Sequence, residues 1–315
     1  MNAALWPLEP EVEPVGAAIE TRGLTKRYGE MVAVDNLDLL VEDGEIFGFL
    51  GPNGAGKTTT MRMLLGLIRP TSGRARVLGM DITRHLPEVL SRTGSIIENP
   101  TFYPYLSGRD NLRAVARLSG AAEGKIPEIL ELMDLTGAAG KKFKTYSLGM
   151  KQRLAVGAAL LHDPDLLILD EPANGLDPAG IVEMRDLMRR LKAEGHTVLI
   201  SSHVLHEIEQ ICDRIAILNH GRIVVQGRVE DLLHNQDRLD LRIQSPGEAQ
   251  AILHRASWIK EIEREGDQLR LTVPLNRAAQ VNAILAEQGL YASEIRPHEA
   301  SLEQYFLAVT DGETR

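Results

Sequence analysis

Little in this chain of 315 residues suits it to secretion, to a membrane or to a polyanionic partner. It has one cysteine, Cys212, so no disulfide can close within it, which fits a reducing cytosol. No apolar run approaches the roughly 18 residues a membrane helix needs. Residues 155–161 come nearest and fall well short. No basic patch followed by an apolar core opens the sequence, which argues against a secretory signal. Positive charge is also in deficit. Lys and Arg number 35 against 44 Asp and Glu, a net charge of −9, so no overall basic field exists to attract nucleic acid, and none is expected as a partner. What is present is ordinary for a soluble globular protein: 43% hydrophobic and 25% charged residues. The length allows one large α/β domain and a smaller one.

Residues 1–18 hold Pro7, Pro10 and Pro14 without hydrophobic period and read as a flexible extension with no chemistry. Residues 19–43 alternate apolar and polar positions, the pattern of paired antiparallel strands at a sheet edge. Residues 45–50 read as a buried strand feeding a glycine loop, and residues 59–67 as a helix stopped at Arg69-Pro70-Thr71-Ser72-Gly73. From about 100 to 160 the pattern is helical, with Leu112, Val115 and Leu118 on one face and Ile129, Leu132, Met133 and Leu135 on another. Strand and helix then alternate: 166–169, 181–194, 197–200 and 215–218. That order implies a mainly parallel sheet covered by helices, with the helical segment inserted into it. After Gly227 the order changes to βαββαβ, with strands at 239–243, 259–264, 268–273 and 291–296 and helices at 248–256 and 278–288. A final amphipathic helix is expected over 302–309. The expected divisions are therefore 1–18, 19–228 and 229–315.

Two segments carry chemistry. Gly51-Pro52-Asn53-Gly54-Ala55-Gly56-Lys57-Thr58 matches GxxxxGK[ST] at every fixed position, between a strand and a helix. Such glycines let backbone N–H groups turn in around phosphate oxygens, and the helix adds its N-terminal dipole. Lys57 then reaches the β- and γ-phosphates, Thr58 ligates Mg²⁺, and Thr59 belongs with the phosphate-binding residues. Leu166-Leu167-Ile168-Leu169-Asp170-Glu171 is an apolar strand ending in two carboxylates, which are costly there unless a cation or water uses them. Asp170 is the expected Mg²⁺ partner and Glu171 the candidate general base; a solvated strand end before a proline turn is the plainer alternative.

Between them lies Tyr146-Ser147-Leu148-Gly149-Met150-Lys151-Gln152-Arg153-Leu154, a Ser-x-Gly-x-x-Gln turn opening a helix. With this order of motifs, residues 19 to about 228 resemble the ATP-binding subunits of ABC transporters. The turn departs from the commoner LSGGQ of that family but keeps Ser147 and Gly149. The resemblance implies a P-loop ABC ATPase core, ATP and Mg²⁺ as ligands, and Tyr28 stacking on adenine. It also implies that Ser147 and Gly149 contact the γ-phosphate held by a second copy and that Asp177 orients the partner's loop. His203 corresponds to the switch histidine on the γ-phosphate. Three of these have a plainer reading: Tyr28 as an edge-strand residue, Asp177 as a helix N-cap, His203 as a structural histidine. Glu98, in Ile96-Ile97-Glu98-Asn99-Pro100, stands where most of the family carries glutamine, at a loop touching Mg²⁺ and the membrane partner. That segment resembles the ATPases of bacitracin and lantibiotic resistance exporters.

The implied machine is a head-to-tail dimer, in the simplest case of two identical chains, serving a separate integral-membrane permease. It would sit in the cytoplasm, peripheral on the inner face of the cell membrane, and power export of a peptide antibiotic, drug or lipid. A soluble ABC ATPase, or an importer subunit with a regulatory C-terminal domain, is the alternative.

Overall fold

The computed structural model describes residues 16–97, 101–234, 238–298 and 302. It divides into two compact units. One comprises residues up to 46, 54–201 and 220–222, and the other 47–53, 202–219 and the chain from 223 onward.

In the first unit the long strand Ala17–Tyr28 is antiparallel to Met31–Leu37, Leu40–Glu42 and Ser72–Val77, with Leu24 opposite Leu37 and Ile19 opposite both Val41 and Val77. Ala18, Ile19 and Leu24 are buried, and one buried polar group among them is satisfied: the Thr21 hydroxyl donates to the Leu37 carbonyl and accepts from the Leu39 amide, both at 2.8 Å. The short strand Met80–Asp81, the helix Leu86–Ser91 and the strand Thr93–Ile96 follow. These pieces are too brief to show a hydrophobic period in the sequence.

Thr93–Ile96, Leu166–Leu169 and Thr197–Ser202 run parallel, Ser95 opposite Ile168 and Ile168 opposite Leu199. The latter two strands are buried along their whole length, as near-continuous apolar runs in parallel sheets should be. Because the strands are parallel, Asp170 and Ser201 emerge at the same end of the sheet.

The helical segment contains Gly108–Ser119, Ile126–Leu132 and Leu148–Leu160. Leu112, Ala116, Ile129, Leu130, Met133 and Leu154 form its interior. Leu118, expected on the inner face of the first helix, is instead 85% exposed. Six residues beyond Leu112 it has rotated about 120° around the helix, whereas Ala116, four residues on, returns to the buried face. The phosphate-loop helix begins at Lys57, two residues before its expected start, and the helix Pro178–Ala193 begins at Pro178, three residues early. Proline suits the first turn because its missing N–H would be unpaired there in any case.

In the second unit Arg214–Asn219 pairs parallel with residues 47–50, Arg214 opposite Phe47 and Ile217 opposite Leu50, and residues 223–228 continue the strand that follows it. The βαββαβ segment is also here: Arg238–Ile243, Pro246–Leu253, Glu261–Glu265, Gln268–Thr272, Ala278–Glu287 and Ala292–His298. Its sheet is antiparallel, with the first strand between the third and the fourth. One face packs Leu239, Leu241, Leu269 and Leu271 on Ala249, Leu253, Val281 and Leu285. The other carries the row Glu263, Arg270, Asp240, Arg296, alternating in charge from strand to strand. Of the final helix expected over 302–309, only Leu302 is among the described residues. It is buried, and its amide donates to Glu209 Oε2 at 3.4 Å.

Candidate active site

The phosphate-loop helix spans Lys57–Leu64 and is capped by Gly56 at φ 106°. A β-carbon at Gly56 would lie 2.6 Å from the Ala33 carbonyl oxygen, so backbone passes where a side chain would have to stand. The Gly56 carbonyl accepts from the Thr60 amide (2.9 Å) and from the Thr60 hydroxyl (3.0 Å), which locks the first helical turn. Gly54 also has positive φ, 83°. The sequence thus has glycine where the loop must turn its amides inward.

Lys57 is buried, and its ammonium lies 3.3 Å from Glu171 Oε1. The Thr58 hydroxyl donates to Asp170 Oδ2 at 2.7 Å. Asp170 is itself buried, and its other oxygen, Oδ1, accepts from the Ser201 hydroxyl at 2.5 Å. Ser201 Oγ in turn accepts the Glu171 amide at 2.9 Å. Glu171 has φ 49°, a left-handed backbone rare for a residue with a side chain. Lys57, Thr58, Asp170 and Glu171 are thus brought together, and all lie in the first unit. Sequence reasoning missed Ser201. The only signal was a polar residue closing a buried apolar strand, a place where a hydroxyl must find partners.

The other expected residues have local roles. Ser147 caps the helix Leu148–Leu160, its hydroxyl accepting the Met150 amide at 3.2 Å. Asp177 caps Pro178–Ala193 through the Gly180 amide at 3.0 Å, so the N-cap reading describes its contact within the chain. Those two turns are neighbours: Leu176 Cδ2 stands 3.8 Å from a β-carbon placed on Gly149, and Leu148 Cδ2 3.1 Å from one on Gly175. Ser147 and Asp177 are both exposed. Tyr28 ends its strand half-exposed, opposite Met31, with the Lys26 ammonium 4.9 Å from its ring centroid. Gly51 is buried, Pro52 and Asn53 are exposed, Ala55 is buried and Thr59 half-buried. His203 is exposed directly after the strand Thr197–Ser202. Glu98 lies outside the described residues.

The donor set can be tested for Mg²⁺. Thr58 and Asp170 offer two hard oxygens at hydrogen-bond distance from each other. That suits Mg²⁺, which typically takes one or two protein oxygens and completes its shell with phosphate and water.

A strand, a glycine loop of this sequence and a helix define the class of phosphate-loop nucleoside triphosphatases. A family model described as ABC transporter matches residues 34–174. The bacitracin transport ATP-binding protein BcrA of Bacillus licheniformis is 42% identical over 300 residues, covering 94% of this chain and 98% of its own. The daunorubicin/doxorubicin resistance ATP-binding protein DrrA of Streptomyces peucetius is 38% identical over 305 residues, with 93% and 92% covered. A solved structure of the ATP-binding subunit of an ABC transporter aligns with a TM-score of 0.61 at 30% identity, over 68% of this chain and 91% of that one. The chain belongs to the ATP-binding subunits of ABC transporters. It is an ATPase, and membership in this family implies a membrane permease and a dimeric ATPase. Among the described residues, no helix is long and apolar enough to cross a membrane.

Proposed function

We propose that this ATPase subunit powers export of a peptide antibiotic, drug or lipid through a separate integral-membrane permease, from the cytoplasmic face. The names of the bacitracin and daunorubicin relatives support the cargo class. The observation that carries the site reading is the double pairing of Lys57 with Glu171 and Thr58 with Asp170 beside the glycine loop.

In this reading the loop Gly51, Pro52, Asn53, Gly54, Ala55 and Gly56 wraps the phosphates of ATP with its amides, helped by Thr59, while Tyr28 stacks on the base. The arriving γ-phosphate competes with Glu171 for the Lys57 ammonium. Engagement of phosphate then draws the Lys57 ammonium away from the carboxylate. Glu171 then takes a proton from water as the water oxygen bonds to the γ-phosphorus. The bond from that phosphorus to the bridging oxygen breaks, and ADP and phosphate result. Mg²⁺, held by Thr58 and Asp170, would neutralise charge on the β- and γ-phosphates. His203 contacts the γ-phosphate, and Ser147 and Gly149 of a second copy close over it. Asp177 orients the loop of that copy. The neighbouring exposed turns at Ser147 and Asp177 support one shared face toward the partner.

An exposed aromatic stretch supports permease docking. Tyr103 and Tyr105 are 63% and 72% exposed. The stretch is held by hydrogen bonds from the Phe143 amide to the Leu106 carbonyl (2.8 Å) and from the Lys144 amide to the Pro104 carbonyl (3.0 Å). Aromatics held open to solvent on a braced segment are characteristic of interaction sites.

Glu171→Gln tests the assignment. Turnover should fall about 10²–10⁴-fold, the usual contribution of a general base, with ATP affinity within a few-fold of wild type. Phosphate release and titration with a fluorescent ATP analogue measure the two. Near-normal hydrolysis would remove Glu171 from the role of base.

A further inference from the structure

We propose that Ser201 is a positioning residue for hydrolysis, its single hydroxyl tying the Asp170 carboxylate to the Glu171 backbone and so setting where the base points. The proposal rests on the reading of Glu171 as base and Asp170 as magnesium partner. Ser201 is fully buried at the carboxyl end of the strand Thr197–Ser202. A serine has one proton to give and lone pairs to receive, and both capacities are used here. The proton goes to Asp170 Oδ1 at 2.5 Å, and the oxygen takes the Glu171 amide at 2.9 Å. With the Thr58 hydroxyl on Oδ2 at 2.7 Å, the Asp170 carboxylate is held at both oxygens and cannot turn.

The second half of the clamp matters more for chemistry. Glu171 stands at φ 49°, a conformation that a residue with a β-carbon keeps only when its surroundings hold it. The hydrogen bond from its amide to Ser201 Oγ holds it from the strand side, and the Lys57 ammonium lies 3.3 Å from its carboxylate. Phosphate engaging Lys57 leaves the hydrogen bond from the Glu171 amide to Ser201 in place. The backbone from which the base is directed at the moment of proton transfer is then still fixed by Ser201. Nucleotide binding, made by the loop and Lys57, does not depend on Ser201.

The test uses the full-length chain with Ser201→Ala and Ser201→Thr. It measures kcat, KM, the melting temperature, and affinity for a fluorescent ATP analogue across a magnesium titration. For Ser201→Ala, kcat should fall about tenfold, as misplacing a catalytic group does, while KM and magnesium-free affinity stay within about twofold. The magnesium concentration for half-maximal enhancement of binding should rise several-fold. Ser201→Thr keeps the hydroxyl and should bring kcat and the magnesium midpoint most of the way back. Where its extra methyl lowers the melting temperature, the split between kcat and affinity in Ser201→Ala decides alone. A Ser201→Ala protein with wild-type kcat, one losing affinity in step with kcat, or one that fails to fold would each overturn the proposal. So would a Ser201→Thr protein that melts normally without rescue. Wild-type turnover in Glu171→Gln, run alongside, would overturn the base assignment itself and not merely the clamp.

Discussion

A buried ammonium needs a counter-charge, and at Lys57 two candidates compete: the Glu171 carboxylate 3.3 Å away and the phosphate that the loop is shaped to hold. That competition requires the loop to keep its turn, and Gly56 is where the turn is tightest. Alanine there would place its β-carbon 2.6 Å from the Ala33 carbonyl at φ 106°. Gly56→Ala should lose about 1–3 kcal/mol of stability and at least tenfold in ATP affinity, measured by thermal melting and nucleotide titration. A variant that binds ATP normally would show that the loop tolerates a shifted backbone. At this scale the sequence was most legible where spacing is rigid. The fixed positions of the loop sit within eight residues, so local geometry alone specifies what they do. Ser201 was not legible, because its partner Asp170 lies 31 residues earlier and only strand pairing brings them together.

At the scale of elements, the turn that carries Ser147 and Gly149 hangs on its neighbour Tyr146. The Tyr146 hydroxyl donates to the Ala138 carbonyl at 2.8 Å, and burial pushes its pKa up. Gly108, which opens a helix, leaves room for that ring: a β-carbon there would fall 2.1 Å from the phenol oxygen. The folded state favours the neutral phenol, so this contribution is present below the unfolded tyrosine pKa of about 10 and is lost as pH rises through the higher folded value. Tyr146→Phe should therefore be less stable by about 1 kcal/mol near neutrality. That deficit should shrink at about pH 11, as read from urea midpoints at both pH values. A pH-independent deficit would mean that the phenol does not titrate against folding. The helices themselves were legible from period, but the face was not fully so. Leu118 kept the apolar character of the stripe while the rotation of the helix carried it into solvent.

For the whole molecule, a site shared by two chains has a consequence that a site within one chain lacks. In the proposed dimer Lys57→Ala would spoil the phosphate loop, and Ser147→Arg the turn offered to the partner. Either variant alone should be inactive. Mixed, the two should form dimers with one intact site, recovering about a quarter of wild-type turnover if chains assort at random and sites act independently. No recovery on mixing would place both residues in the same site of one chain. The amino-acid order by itself determined the class and family, because short motifs in fixed sequence encode local backbone geometry and the chemistry it presents. It also determined the βαββαβ order over residues 238–298, because alternation and helical period are local properties, but not the helix Val229–His234 that precedes it. The tertiary structure decided what depends on pairing at a distance. Thr58 and Asp170 meet across 112 residues, and Ser201 closes on Asp170 and the Glu171 amide. No local pattern states which strands lie side by side or in which register. Packing of the parallel strands settles both, and with them the groups that stand around the base.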